Sequence, residues 1–356
     1  MTPLLPIIAE KIRAQGSISV ADYMALCLGH PEHGYYMNRD PFGARGDFVT
    51  SPEISQIFGE MIGVWVAQMW RQMGSPPLRL VELGPGRGTL MHDVLRATAQ
   101  QKAFHESITI HMVETSPVLA NAQYHALRNV HPRIEWLDTI DDVPEGAMIV
   151  VANEFFDALP IKQFMMTDDG MRERRVGLNA SGALEFTLGP AGLALAKSGQ
   201  KIAAGTVIEQ HPAARAIMRT IATRLSEEDG AFLAIDYGFL GDAHHDTLQA
   251  VKHHAFHPVL SDPGEADITA HVDFLSLATI AADASLFVAP LATQGEFLHA
   301  MGGDVRLKML IDRADENQKK NLEQGYTRLT SKQAMGELFK VLAVSSHAPI
   351  VGFDDA

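Results

Sequence analysis

Val81-Glu82-Leu83-Gly84-Pro85-Gly86-Arg87-Gly88-Thr89 sets three glycines at alternate positions, with an acid two residues before the first. Glycine at the end of a strand lets the backbone approach a ligand, and the start of the following helix offers unpaired N–H groups. A dinucleotide fingerprint would need its third glycine where Thr89 stands. A phosphate loop would need a Gly-Lys-Ser/Thr ending, which is missing. The G-x-G-x-G spacing suits a nucleoside without pyrophosphate, such as S-adenosyl-L-methionine. Glu82, Gly84, Pro85, Gly86 and Gly88 are thus candidate cofactor contacts.

In an open parallel sheet the carboxyl ends of the strands line the ligand crevice. Glu114 closes the apolar run Ile108–Val113, where a carboxylate can accept from both ribose hydroxyls. Asp138 closes Ile134–Leu137 and is a candidate acceptor for an adenine amino group, in a loop it shares with Asp141 and Asp142. Asn153-Glu154-Phe155-Phe156-Asp157 closes the run 148–152. Asn153 joins the cofactor candidates. Glu154 and Asp157 are three apart, so one helical turn would set both catalytic candidates on one side. Asp236 and Tyr237 end a fifth run, 231–235, and are expected to border the substrate.

Other groups promise less chemistry. His244, His245, His253, His254 and His257 would suit a metal only on a helix. No H-E-x-x-H pattern is present and Cys27 is the single cysteine, so no metal is expected. The histidine segment reads as a polar loop on the substrate side. Arg172, Arg174 and Arg175 read as a solvated strand edge, and Met61, Met69 and Met73 as core packing.

Periodicity supplies the elements that must hold these residues. Residues 3–15 form an amphipathic helix, and Ser19 with Asp22 makes a capping-box start for a second helix to Leu28. The segment 30–50 is rich in Gly, Pro and aromatic residues. Ser51-Pro52-Glu53 opens one long helix, with Ile54, Ile57, Phe58, Met61, Trp65 and Met69 at helical spacing. From Leu78 strands and helices alternate, which predicts an α/β fold with a doubly wound, Rossmann-like parallel sheet. An antiparallel β meander is inserted at 161–188, the segment 239–263 is irregular, and a last strand falls near Phe339–Ser345. The expected division is a helical cap and cofactor lid over 1–75, and a sheet domain over 76–356 with insertions around 161–200 and 239–271.

Composition bounds the function. Among 356 residues the net charge is −14, and an acidic surface of that size repels phosphate backbones, so a nucleic-acid partner is not expected. No apolar run approaches the ~18 residues of a membrane helix. Residues 1–9 lack the basic region of a secretory signal. A cytoplasmic bacterial chain is expected, or a mitochondrial matrix location for a mature eukaryotic form.

Four stretches together resemble the MidA family, which includes the mitochondrial complex I assembly-factor methyltransferase. They are Gly46-Asp47-Phe48-Val49-Thr50-Ser51-Pro52-Glu53-Ile54-Ser55-Gln56-Ile57-Phe58-Gly59-Glu60, residues 81–90, residues 153–160, and Gly264-Glu265-Ala266-Asp267-Ile268-Thr269-Ala270-His271-Val272-Asp273-Phe274. The likeness covers nearly the whole chain. It implies a class I S-adenosylmethionine-dependent methyltransferase with N-terminal helices over the cofactor cleft. It also implies that the loop 47–52 lids the cofactor, with Thr50 or Ser51 supplying a hydroxyl. For the mitochondrial member it implies N-methylation of arginine on a complex I subunit, so a protein substrate is the expected partner. A guanidinium stays protonated at neutral pH, and Glu154 and Asp157 are the candidates to hold its fork. The competing readings are a small-molecule methyltransferase and an assembly chaperone that binds the cofactor without turnover.

Overall fold

Met148-Ile149-Val150-Val151-Ala152 is apolar at every position, the pattern of a strand covered on both faces. The computed structural model, which describes residues 2–37, 49–190, 202–241 and 246–353, shows that cover. Its main sheet contains β1 (Leu78–Leu83), β2 (Ile108–Val113), β3 (Ile134–Leu137), β4 (Met148–Asn153), β5 (Gly230–Phe239), β6 (Phe287–Val288) and β7 (Phe339–Ser345). Their spatial order is 3-2-1-4-5-7-6, with β1 to β5 parallel and β7 antiparallel to both its neighbours. Two-residue strands, Val272–Asp273 and Ala292–Thr293, add to its margin.

Alternate side chains enter different cores. Ile149, Val151, Leu233 and Ile235 pack with the helices Gln56–Gln72 and Thr89–Ala97 on one face. Val150, Ala152, Phe232 and Ala234 pack with Pro212–Glu228 and Phe274–Asp283 on the other. The doubly wound sheet is therefore present as expected.

So is the inserted meander. Lys162–Thr167, Gly170–Leu178 and Leu184–Leu188 pair antiparallel, and Val207–Gln210 and Ile18–Ser19 extend them. The helices Leu4–Gln15 and Val20–Gly29 share a third core with Ile161, Val176, Ala250 and Ile268 of the insertions. The region 1–75 thus divides between two cores. Its third long helix, Gln56–Gln72, has apolar residues over so broad a face that only the sheet can cover them.

Three local features differ from the sequence reading. Ser55 is extended and its hydroxyl accepts from the Ile57 N–H, so the expected long helix is split into Ser51–Ile54 and Gln56–Gln72. The segment 239–263 is not irregular throughout: Gln249–Lys252 and Ala255–His257 form a hairpin, which pairs on with Asp267–Thr269. Its two-residue turn, His253-His254, has φ of +53° and +61°. Asn-Gly usually marks that geometry, so histidines concealed it. Finally, Arg174 is not solvated. It stacks on the Phe186 ring at 3.7 Å and pairs with Asp246 at 2.5 Å.

Candidate functional site

Strand register decides which residues meet. Leu83 is level with Val113 and Ala152, Val113 with Leu137, and Asn153 with Ile235. Gly84, Glu114, Asp138 and Glu154 therefore leave the sheet at its carboxyl edge, level with Asp236, where β5, expected to end at 235, runs on to Phe239.

Gly84, Gly86 and Gly88 have φ of +61°, +56° and +81°, a region open to glycine at little cost. A Cβ on Gly84 would stand 2.8 Å from the Phe155 ring. Gly88 opens the helix Thr89–Ala97. Gln123, fully buried, clamps the turn: its Nε2 donates to the Gly86 carbonyl at 2.8 Å and to Glu114 Oε2 at 3.1 Å. Its Oε1 accepts from Trp136 Nε1 at 2.9 Å. The other Glu114 oxygen accepts from the Ser116 N–H at 2.8 Å, and burial raises the Glu114 pKa. Sequence reasoning missed Gln123. An amide on the inner side of the helix Pro117–Leu127 was its only signal.

A cleft of about 800 Å³ opens before these strand ends, lined by Gly84, Gly86, Glu114, Glu154, Asp157 and Tyr237, with Met24 and Leu28 of the N-terminal helices opposite. A side pocket of about 40 Å³ lies between Thr50, Glu53, Glu82, Pro85 and Asn153. There the Glu82 Oε2 and Asn153 Oδ1 are buried without a donor. Burial, reinforced by the Glu114 charge, pushes Glu82 up to about 8. Two orphaned acceptors fit an ammonium group, and the carboxylate of Glu114 beside a glycine turn fits a ribose. The residues present fit S-adenosylmethionine. Asp138 is different: it follows the outermost strand, is exposed, and lies outside the cleft lining.

Glu154 has φ +50°, and its Oε1 accepts from the Ser51 N–H at 2.8 Å and Asn153 Nδ2 at 3.2 Å. Burial pushes its pKa up to about 7; the Ser51 N–H opposes the rise and the Asp157 charge adds to it. The Ser51 hydroxyl donates to Gln294 Oε1 at 3.2 Å. Ser51 thus ties Glu154 to the helix Gln294–Ala300. Thr50 faces the side pocket. Thr89 Oγ1 donates to Glu53 Oε1 at 2.5 Å, which ties this segment to the glycine turn.

The stretch 154–157 is not a helical turn. Asp236, 1% exposed, accepts at Oδ2 from the N–H groups of Phe155, Phe156 and Asp157 at 3.1, 3.0 and 3.2 Å. Its Oδ1 accepts from the Tyr237 N–H at 2.9 Å. The expectation that Asp236 borders the substrate is corrected: it is the buried anchor that gives the turn its shape. Tyr237 does line the cleft, beside Asp157. Burial raises the pKa of Asp157, whose Oδ1 has no partner. Asp267 and Tyr36 share the same wall, the Tyr36 hydroxyl donating to Asp267 Oδ1 at 2.8 Å. The sequence reading assigned neither a role, although Asp267 lies in a stretch that carried the family resemblance.

Gly46, Asp47, Phe48, His244 and His245 lie outside the described residues. His253 and His254 form the exposed hairpin tip, and no metal-holding cluster of His, Cys, Asp and Glu occurs among the described residues.

Two expected results separate binding from positioning. Glu114→Ala should weaken S-adenosylhomocysteine binding by about 1.5–3 kcal/mol, roughly 10- to 150-fold, because a charged acceptor is lost. Calorimetry showing a loss under about threefold would reduce Glu114 to a surface acid. Asp236→Ala takes the acceptor from four N–H groups, three of them in the turn; at about 1–3 kcal/mol for each one left buried and unpaired, denaturation should show at least about 3 kcal/mol of lost stability. An unchanged unfolding midpoint would mean the turn does not depend on this carboxylate.

The strand order and the nucleoside-shaped edge define the class I methyltransferases. Residues 61–291 match the family model of S-adenosyl-L-methionine-dependent methyltransferases, and the chain belongs to that family. It is 40% identical to the mitochondrial protein arginine methyltransferase NDUFAF7 of Danio rerio, over 97% of this chain and 87% of that one. With the Homo sapiens protein of the same name it shares 37% identity, over 99% and 85%. A Burkholderia thailandensis protein solved bound to S-adenosyl-homocysteine superposes with a TM-score of 0.86 at 28% identity, covering 99% of this chain and 95% of that one. The chain is an S-adenosylmethionine-dependent methyltransferase, and the resemblance to the MidA family holds.

Proposed function

We propose that the methyl acceptor is an arginine side chain of a polypeptide. The observation that carries this reading is the acid wall of the cleft, where Glu154, Asp157 and Asp267 stand with the hydroxyls of Tyr36 and Tyr237. The names of the relatives support it. A guanidinium enters protonated, and buried carboxylates stabilise it by charge-assisted, bidentate hydrogen bonds. S-adenosylmethionine, when bound, supplies a methyl group already activated on a sulfonium. This chain's residues then have to align the acceptor, exclude water and take up the proton released as nitrogen gains carbon. Glu154 suits that last task. Its Oε1 is held by Ser51 and Asn153, the residue lines the cleft, and a group poised near 7 can accept and release a proton at neutral pH.

The MidA resemblance directs the proposal further, to a subunit of respiratory complex I. The reaction then belongs where such subunits are assembled, the cytoplasm of a bacterium or the mitochondrial matrix. Among the described residues no helix is long and apolar enough to cross a membrane. Lysate from a strain lacking the protein, incubated with labelled methyl donor and purified enzyme, tests the reading. A labelled polypeptide yielding methylarginine on hydrolysis is expected. Label in a small metabolite would favour the small-molecule reading, and rescue of complex assembly by a Glu154→Ala chain without methylation would favour the chaperone reading.

A further inference from the structure

The strands Gln249–Lys252, Ala255–His257 and Asp267–Thr269 form a three-stranded sheet with two distinct faces. Ala250 and Ile268 point into the third core, while Gln249, Val251, Phe256, Asp267 and Thr269 line the cleft. Register places Phe256 opposite Val251, and Val251 opposite Asp267, in one row. With strands ~4.8 Å apart, the row spans about 10 Å across the sheet. Its chemistry is graded. Phe256 is 83% exposed at the outer end, Val251 is half-buried, and Asp267 is 6% exposed at the inner end. Beyond it Thr269 and Tyr237 line the same cleft, and the Ala270 N–H donates to the Asp157 carbonyl at 3.0 Å, so the row leads into the acid wall.

We infer that this sheet face is the docking surface for the acceptor polypeptide, its main chain over Phe256 and Val251 and its cationic side chain directed along the row toward Asp267, Asp157 and Glu154. The inference rests on the reading of a polypeptide arginine acceptor. Charge complementarity selects the occupant: the inner end is anionic, and the outer end offers apolar area with no charge to satisfy. A long side chain with an apolar stem and a cationic head matches both ends. A largely exposed aromatic ring is a poor solvent group but a common interface anchor. The tip that presents it is held by two non-glycine residues at positive φ, His253 and His254, and such strain concentrates at ligand-gripping segments.

The test uses Phe256→Ser in the full chain, with the polypeptide labelled in the knockout lysate as acceptor at graded dilution. Because the ring is solvent-facing, the fold is expected to be retained, with an unchanged melting curve as the check. Half-maximal labelling should require about tenfold more acceptor, with the plateau rate and S-adenosylhomocysteine affinity within about twofold of the unmodified chain. Half-saturation equal to the unmodified chain overturns the inference, as does label found only in a small molecule or in no polypeptide at all. Methyl on a residue other than arginine would remove the arginine reading, while a raised half-saturation on that same polypeptide would still support the docking face.

Discussion

A Glu154→Gln chain is expected to bind S-adenosylhomocysteine within a few-fold of the unmodified chain yet turn over about 10²–10³-fold more slowly, the range for losing one preorganised electrostatic group. Glutamine keeps the shape and can still accept from the Ser51 N–H and Asn153 Nδ2 through its amide oxygen. What it removes is the negative charge at the cleft and the ability to take a proton. Neither is needed to grip a nucleoside at the glycine turn. A pH profile gives an independent readout. Burial pushes Glu154 up to about 7, so the carboxylate is protonated below that value and ionised above it. Turnover should rise as pH passes upward through about 7, and Glu154→Gln should lack that limb. Near-normal turnover on the labelled acceptor would return Glu154 to a structural role, with Asp157 and Tyr237 as the next candidates.

Gly86→Val should abolish cofactor binding while leaving most of the fold. Gly86 has φ +56° and lines both the cleft and the side pocket. Its carbonyl is held by Gln123, so the turn cannot swing away to relieve a new side chain. A β-branched residue in that conformation costs about 1–3 kcal/mol of stability, and its methyl groups enter space the ligand must fill. S-adenosylhomocysteine affinity should fall more than about 10³-fold, some 4 kcal/mol. Calorimetry showing affinity within about tenfold, in a chain with a cooperative melt, would remove the glycine turn from the cofactor site.

Much of this was legible before any coordinates. Every apolar run that reads as a central strand became one, because a short continuous Val/Ile/Leu stretch between turn signals is the pattern of a strand covered on both faces. The glycine spacing, Glu114 and the acids after β4 followed from where such strands must end. The chain itself also carried its family, through stretches spread over its whole length. Other features depended on partners remote in sequence. Asp236 reads as a site acid until three N–H groups from the turn after β4 are seen to converge on it. The family likeness offers Ser51 as a hydroxyl donor, and only the fold shows that hydroxyl donating to Gln294. Gln123 carries no local pattern, since its partners come from the glycine turn, the end of β2 and Trp136. The histidine hairpin hid because its turn uses residues that seldom adopt positive φ. The sequence by itself thus determined the sheet, the strand ends and the family, because apolar periodicity and short-range turn chemistry are written locally. Which buried carboxylate anchors and which one faces the cleft was decided only by tertiary structure, since strand register and long-range hydrogen bonds assign each acid its donors.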